Sequence, residues 1–300
     1  MTQPPFQTLR DVFRYAVSRF GAACLAYGHG ADNAVDEAAF MVLEGLHLPV
    51  DRLDIFLDAR LTADELAKLL ALVEARVTTR KPAAYLLGRT YFQGVPFLVE
   101  DGVIIPRSFI GELLMNGVIS GEGGLIENPE SVRNILDLCT GGGSLAVLAA
   151  MVFANATIDG VDISPQALAL AERNADLHKL GDRIACIKGD LFAPLGQARY
   201  DLILTNPPYV TAAAVAAFPP EYAAEPQLAH FGGADGLDLV RRIIAGAKKH
   251  LAPKGALICE VGAGRPALEA EYPKLPFVWL DTEETAGEVF MLKAKDLAGR

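Results

Sequence analysis

Apolar positions fall into three regimes along the chain. From Thr8 to about Ala26 they recur at helical spacing, with Leu9, Val12, Phe13, Ala16, Val17 and Phe20 on one face. Gly28-His29-Gly30 breaks this helix, and Asp32 or Asn33 can cap a second one carrying Ala38, Phe40, Met41, Leu43 and Leu46, which ends before Pro49. Thr62-Ala63-Asp64-Glu65 has the form of a capping box and opens a third helix through Leu66, Leu69, Leu70, Leu72, Val73 and Val77. The block reads as a small helical domain, residues 1–88. His29, isolated in a Gly-rich turn, reads as structural rather than as a ligand or base.

The second regime is β-rich. Tyr91-Phe92, Val95, Phe97-Leu98-Val99 and Val103-Ile104-Ile105 are punctuated by Gly94, Pro96, Asp101-Gly102 and Pro106. Asp101-Gly102 between apolar runs is a hairpin signal, so residues 89–108 are expected to form a two-stranded connector. Ile110 to Met115 then looks helical, and Gly121 to Pro129 reads as a loop.

From Val132 onward strands alternate with amphipathic helices. The strands expected are Asn134–Leu138, Ala156–Asp162, Arg183–Lys188, Tyr200–Thr205, Gly255–Val261, Val278–Leu280 and Val289–Leu292. The helices expected are Ser144–Phe153, Pro165–His178 and Leu237–Lys249. This alternation predicts an α/β fold over residues 109–300, a doubly wound, mostly parallel seven-stranded sheet with ligands at the C-terminal strand ends. The last two strands, joined by a loop, should form an antiparallel edge.

Composition adds three constraints. Three hundred residues with 51% hydrophobic content suffice for about two domains. A net charge of −10 argues against a free nucleic-acid binder, so no direct DNA binding is expected, and it is compatible with a basic protein partner. Cys24, Cys139, Cys186 and Cys259 lack metal-ligand spacing and read as reduced thiols, so no metal site is expected. Met1 to Pro5 shows no basic stretch before an apolar core, and no uncharged apolar run reaches spanning length. A cytoplasmic protein with neither signal peptide nor membrane helix is expected.

Candidate chemistry lies at two strand ends. Ile135 to Gly143 runs from a strand straight into a helix, and Gly141-x-Gly143-x-x-Ala146 also fits a dinucleotide fingerprint, so the glycines alone do not name a cofactor. They indicate close approach of backbone to a ligand at a helix N-terminus. Asp162 ends the next strand, where a carboxylate takes ribose hydroxyls or caps the helix at Ser164-Pro165. The third strand is followed by Gly189-Asp190-Leu191-Phe192. The fourth delivers Asn206-Pro207-Pro208-Tyr209, a rigid turn presenting carbonyl acceptors beside an aromatic face, suited to a planar NH2 group or to simple packing after a strand.

These residues resemble class I S-adenosylmethionine-dependent methyltransferases, in the branch that methylates planar NH2 groups. Pro82-Ala83-Ala84-Tyr85-Leu86-Leu87-Gly88 and Ile104-Ile105-Pro106-Arg107 after a helical domain are similar to the protein-glutamine methyltransferases. Val17-Ser18-Arg19-Phe20, Tyr27 to Asn33, Pro106-Arg107-Ser108 and Gly111-Glu112-Leu113 resemble the subfamily acting on large-subunit ribosomal protein L-three rather than on release factors. Two positions depart from it: Phe109 stands where Pro is usual and Gly142 where Ser is common. The resemblance implies that the helical domain selects a basic protein substrate. It implies S-adenosylmethionine as cofactor, with Cys139, Thr140, Gly141, Gly142 and Gly143 against its methionine part, Asp162 at the ribose, Asp190 and Leu191 bordering the adenine, and Asn206 alongside. Asn206, Pro207, Pro208 and Tyr209 would hold the target glutamine. Release-factor methylation, nucleic-acid adenine methylation and a non-catalytic ribosome-assembly module are the alternatives. Arg107 reads as a surface or docking charge and is left outside the site. Glu225, before Pro226, reads equally as lining the entrance or as half of an ion pair.

Overall fold

The computed structural model describes residues 6–126, 128–283 and 285–297. Met1 to Pro5, which bear on the signal-peptide expectation, and position 127 of the expected Gly121–Pro129 loop lie outside them. The chain divides into two compact units. One comprises the residues up to Thr90 with Val99–Asp101 and Phe218–Ala224, the other Tyr91–Leu98, Gly102–Ala217 and the residues from Glu225 onward.

The first unit is helical. Its helices Leu9–Ala22, Ala34–Gly45 and Ala63–Thr79 start where side chains can satisfy their free N–H groups. Asn33 Oδ1 accepts from Val35 and Asp36 at 2.9 and 3.0 Å. Thr62 and Glu65 form the reciprocal capping box, and Thr8 with Asp11 forms a second one. The first helix stops at Ala22, four residues short of the expected Ala26, because the chain turns through a left-handed Cys24 at φ 47°. Fully buried Arg76 ties the unit together: its guanidinium donates to Glu37 Oε2 at 2.9 Å and to the Ala26 and Arg80 carbonyls, each at 3.0 Å. Glu221, also buried, accepts from the Ala26 N–H at 2.9 Å and pairs with Arg80 at 2.7 Å.

Strands β1 (Arg89–Phe92) and β2 (Val95–Leu98) form a two-stranded sheet. The hairpin turn is Gln93-Gly94, both left-handed at φ 51° and 73°, as a two-residue turn of this kind requires. This corrects the expected turn at Asp101-Gly102, after which Val103–Ile105 pairs as no strand. The Ile105 N–H is instead taken by the Glu225 carboxylate at 3.1 Å.

The second unit carries the seven-stranded sheet: β3 (Asn134–Leu138), β4 (Thr157–Asp162), β5 (Ile184–Lys188), β6 (Tyr200–Thr205), β7 (Leu251–Glu260), β8 (Val278–Leu280) and β9 (Val289–Lys293). Their spatial order is β5-β4-β3-β6-β7-β9-β8. β3 to β7 are parallel, and β9 runs antiparallel between β7 and β8. Side chains alternate between two cores. Ile135, Leu202, Leu204 and Ile258 join helices Phe109–Met115 and Ser144–Val152 on one face. Leu136, Leu138, Ile203 and Leu257 join helix Asp238–His250 on the other. A helix at Arg265–Glu271, not expected from the sequence, also lies on this second side through Leu268. The chain moves outward from β3 through β4 to β5, then returns to β6 on the opposite side of β3. The β3/β6 gap is therefore a topological switch point, where open α/β sheets bind ligands. No helix among the described residues is long and apolar enough to cross a membrane.

Candidate active site at the switch point of the sheet

Parallel register brings the predicted residues to one edge. Leu138 is aligned with Val161 and Thr205, and Asp162 with Lys188, so the loops after β3, β4, β5 and β6 leave the sheet side by side. Thr205 Oγ1 locks the two central strands by donating to the Leu138 carbonyl at 2.9 Å.

The loop after β3 is shaped by unusual backbone. Cys139, Gly141 and Gly143 are left-handed, at φ 57°, 54° and 80°, and Leu191 after β5 is at 51°. Cys139 and Leu191 are non-glycine residues held there, each at a cost of about 1–3 kcal/mol, on the loops after β3 and β5. A Cβ at Gly141 would meet only Ile104 Cγ2 at 3.7 Å, so the backbone beside it is open to a ligand. At Gly143 a Cβ would come within 2.9 Å of Ala171, so this glycine serves packing against the helix Pro165–Leu177. The Gly142 carbonyl accepts from the buried Asn174 amide at 2.9 Å, and that amide also bonds Leu98 of β2 in both directions.

Asp162 braces the two loops on either side of it, while the cap of the following helix is Ser164, whose hydroxyl accepts from the Ala167 N–H at 3.2 Å. Asp162 Oδ2 accepts from the Gly141 N–H and Oδ1 from the Ser164 N–H, each at 2.9 Å. A carboxylate offers about four acceptor positions, so two remain for hydroxyl donors. Asp190 is half-exposed and paired with Arg242 at 2.7 Å, while Leu191 is buried. Phe192 stacks on His250.

Asp137 is a residue that the sequence reading missed. It is a carboxylate flanked in its strand by Ile135, Leu136 and Leu138, and that contrast was the available signal. Oδ2 accepts from the Thr140 hydroxyl at 2.6 Å and the Ala146 N–H at 3.1 Å, while buried Oδ1 has no partner. Burial is the main cause that pushes its pKa up to about 7, with Asp162 adding to it and the two hydrogen bonds opposing. An orphaned carboxylate oxygen beside a glycine loop fits a ligand that brings a cation. The Cys139 thiol is held neutral by burial, with Asp162, Asp137 and Asp190 adding to the shift.

The turn after β6 is held on all sides. Asn206 Nδ2 donates to the Arg107 backbone carbonyl at 3.0 Å. A carbonyl can only accept, so the nitrogen must face it and Oδ1 must face the other way. Tyr209 Oη donates to Glu260 Oε1 at 2.8 Å, and Glu260 Oε2 accepts from the Ser108 hydroxyl at 2.6 Å and the Phe109 N–H at 2.9 Å. Burial raises the Glu260 pKa and these three hydrogen bonds oppose it. Tyr209 is likewise pushed up, first by burial and then by Glu260. Glycine backbone crowds the turn: a Cβ at Gly232 would lie 2.6 Å from the Pro208 carbonyl, and one at Gly262 would lie 2.8 Å from the Tyr209 ring. Arg107 is not a free surface charge. It grips Glu225 through both Nη atoms, at 2.7 and 2.5 Å, which makes Glu225 the ion-pair partner. Phe109 donates its N–H to Glu260, a bond that the Pro expected there from the resemblance would remove.

Residues 124–218 match the family model for the methyltransferase small domain. Over 292 residues the chain is 56% identical to the ribosomal protein uL3 glutamine methyltransferase of Bradyrhizobium diazoefficiens, covering 97% of this chain and 92% of that one. It is 50% identical to the protein of the same description from Burkholderia pseudomallei, over 98% of this chain and 96% of the other. The Bordetella pertussis protein of that description is also 50% identical, covering 97% and 96%.

Proposed function

Since the chain belongs to the ribosomal protein uL3 glutamine methyltransferase family, we propose that it transfers a methyl group from S-adenosylmethionine to the side-chain amide nitrogen of a glutamine in uL3. The observation that carries this reading is the orientation of Asn206. Its nitrogen is committed to the Arg107 carbonyl, which leaves Oδ1 as an acceptor at the mouth of the β3/β6 switch point.

In this reading Asp137, Cys139 to Gly143, Asp162, Asp190 and Leu191 hold the cofactor. Asp137 Oδ1 takes its ammonium, and Asp162 accepts from its ribose hydroxyls. Bound there, S-adenosylmethionine supplies an electrophilic sulfonium methyl group. The substrate nitrogen is a poor nucleophile because its lone pair is delocalised into the amide carbonyl. Asn206 Oδ1 and the Pro207 carbonyl each accept one of its N–H groups, which fixes the direction of the lone pair. As the nitrogen pyramidalises and gains positive charge, the same acceptors hold it more strongly, and this is transition-state stabilisation. Pro207 and Pro208 keep competing N–H donors out of the turn, and Tyr209 forms a wall whose ring is fixed by Glu260. No strong base is required, since the proton can leave to water once charge has developed.

We assign substrate selection to the helical domain, residues 1–88, with 89–108 as connector and 109–300 as the methyltransferase domain. The test of function is incubation of the purified chain with uL3 and labelled cofactor, followed by peptide mass spectrometry. One added methyl group on a uL3 glutamine is expected. Labelling of a release factor and not of uL3 would move the assignment to the sister substrate. Cross-linking of the full chain to uL3 should place contacts on residues 1–88, and their absence there would remove the selector role.

A further inference from the structure

Glu225 lies outside the set of residues assigned to cofactor or substrate. Its side chain is nonetheless fully buried and gathers at least four contacts. Oε1 accepts from the Ile105 N–H at 3.1 Å and from Arg107 Nη1 at 2.7 Å; Oε2 accepts from Arg107 Nη2 at 2.5 Å and lies 3.0 Å from His230 Nε2. The forked, charge-assisted pair with Arg107 is the geometry that gives such contacts direction as well as strength. Between its two anchor points stands Pro106, whose ring fixes φ. One carboxylate therefore holds this segment through the Ile105 backbone and the Arg107 side chain, and the Arg107 carbonyl is the group that receives Asn206 Nδ2.

The segment bearing Glu225 also holds the far end of the turn. The His230 carbonyl accepts from the Val210 N–H at 2.8 Å, and the Gly232 N–H donates to the Val210 carbonyl at 2.9 Å. Residues 225–232 thus grip Val210 directly and Asn206 through Arg107.

Building on the proposed function, we infer that Glu225 is a positioning residue for methyl transfer. Through Arg107 it places the carbonyl that keeps the Asn206 nitrogen turned inward and Oδ1 turned toward the substrate amide. Loosening of Arg107 frees the Asn206 amide to rotate and present N–H groups where an acceptor is needed. A ground-state stability role alone would make no use of Asn206.

Two readouts test this. Without any substrate, the Asn206 side-chain amide protons should exchange with solvent at least tenfold faster in Glu225→Gln than in the wild type, followed by 1H–15N NMR of the full chain. Unchanged exchange would overturn the proposal even if uL3 is not the substrate. With uL3 and saturating cofactor, single-turnover rates form a cycle between Glu225→Gln and Asn206→Leu. Glu225→Gln should lower the rate roughly tenfold in the wild type, in keeping with a small misplacement of a reacting group, and less than twofold when Asn206 is already Leu. An equal loss in both backgrounds would show that Glu225 acts elsewhere and sink the inference. Arg107→Lys keeps the charge but breaks the fork. It should show the same non-additivity and carries both readouts if Glu225→Gln fails to fold.

Discussion

The Tyr209 hydroxyl lies 2.8 Å from Glu260 Oε1 and is, among the described residues, the donor to that oxygen, while Ser108 and Phe109 share Oε2. Tyr209→Phe therefore leaves a buried carboxylate oxygen unpaired. The expected cost is about 1–3 kcal/mol of unfolding free energy in urea titration. Burial already raises the Glu260 pKa, and loss of a donor raises it further. A raised folded pKa means the native state is the tighter proton binder, so the variant's deficit is smallest where Glu260 is protonated in both proteins and grows as pH rises through its folded pKa. Glu260→Gln should cost less, because the tyrosine hydroxyl can turn and accept from the new amide.

Asp137 gives a second pH dependence. Its folded pKa of about 7 lies above the unfolded value of about 4. Between these limits the native state keeps a proton that the unfolded chain has lost, so its contribution to stability falls as pH rises through that window and is flat above it. A cation at Oδ1 favours the carboxylate, so cofactor binding below about pH 7 should release a proton. Calorimetry in buffers of different ionisation enthalpy should detect that release. Affinity should rise up to ~10-fold per pH unit toward 7 and then level off. Asp137→Asn should bind more weakly with no proton release; a pH-independent wild type would remove Asp137 from the site.

Much of this was legible locally. β3 and β6 run over the stretches Asn134–Leu138 and Tyr200–Thr205 expected for them, because strands buried on both faces read as apolar runs that stop at glycine or at Asn-Pro. Caps at Asn33 and Thr62 were readable because the cap and the group it serves lie within three residues. The misses were non-local or weakly marked. Gln93 carries no strong left-handed preference, so the Gln93-Gly94 turn was hidden behind the stronger Asp-Gly signal. Val103–Ile105 has strand composition, but Ile105 spends its N–H on a carboxylate 120 residues away. The same distance hid the Arg107–Glu225 pair, and with it the support for Asn206.

Arg76 provides a stability test confined to the helical unit. Its guanidinium, fully buried, satisfies Glu37 and two carbonyls. Arg76→Met keeps most of the volume and leaves buried Glu37 without its cation, with the Ala83 N–H as its remaining donor among the described residues. Burial already raises the Glu37 pKa despite Arg76. Breaking a buried pair from one side costs about 3–5 kcal/mol. Thermal unfolding should show a marked loss, and adding Glu37→Gln should recover part of it. No recovery would mean that Arg76 matters through packing, its carbonyl contacts or the neighbouring Glu221 rather than through Glu37.

In the proposed mechanism Asn206 has two jobs, donor to Arg107 and acceptor for the substrate amide, and substitutions can separate them. Asn206→Leu removes both at similar volume. By analogy with donors aimed at developing charge, the loss should be ~3–4 kcal/mol, or ~10²–10³ in single-turnover rate. Asn206→Asp retains an acceptor, so it should outperform Leu. Ionised, however, it offers the Arg107 carbonyl an oxygen instead of an N–H, two acceptors facing each other where a 3.0 Å hydrogen bond stood. Protonated, the same side chain donates to Arg107 with its O–H and accepts from the substrate with its carbonyl oxygen, which restores both jobs. The repulsion also raises that carboxyl's pKa, bringing protonation toward the assay range. The ratio of Asn206→Asp to wild-type rate should therefore climb as pH falls, while the ratio for Asn206→Leu stays flat. If the Asp ratio is flat or falls with acidification, the Arg107 carbonyl does not set the direction of the Asn206 amide.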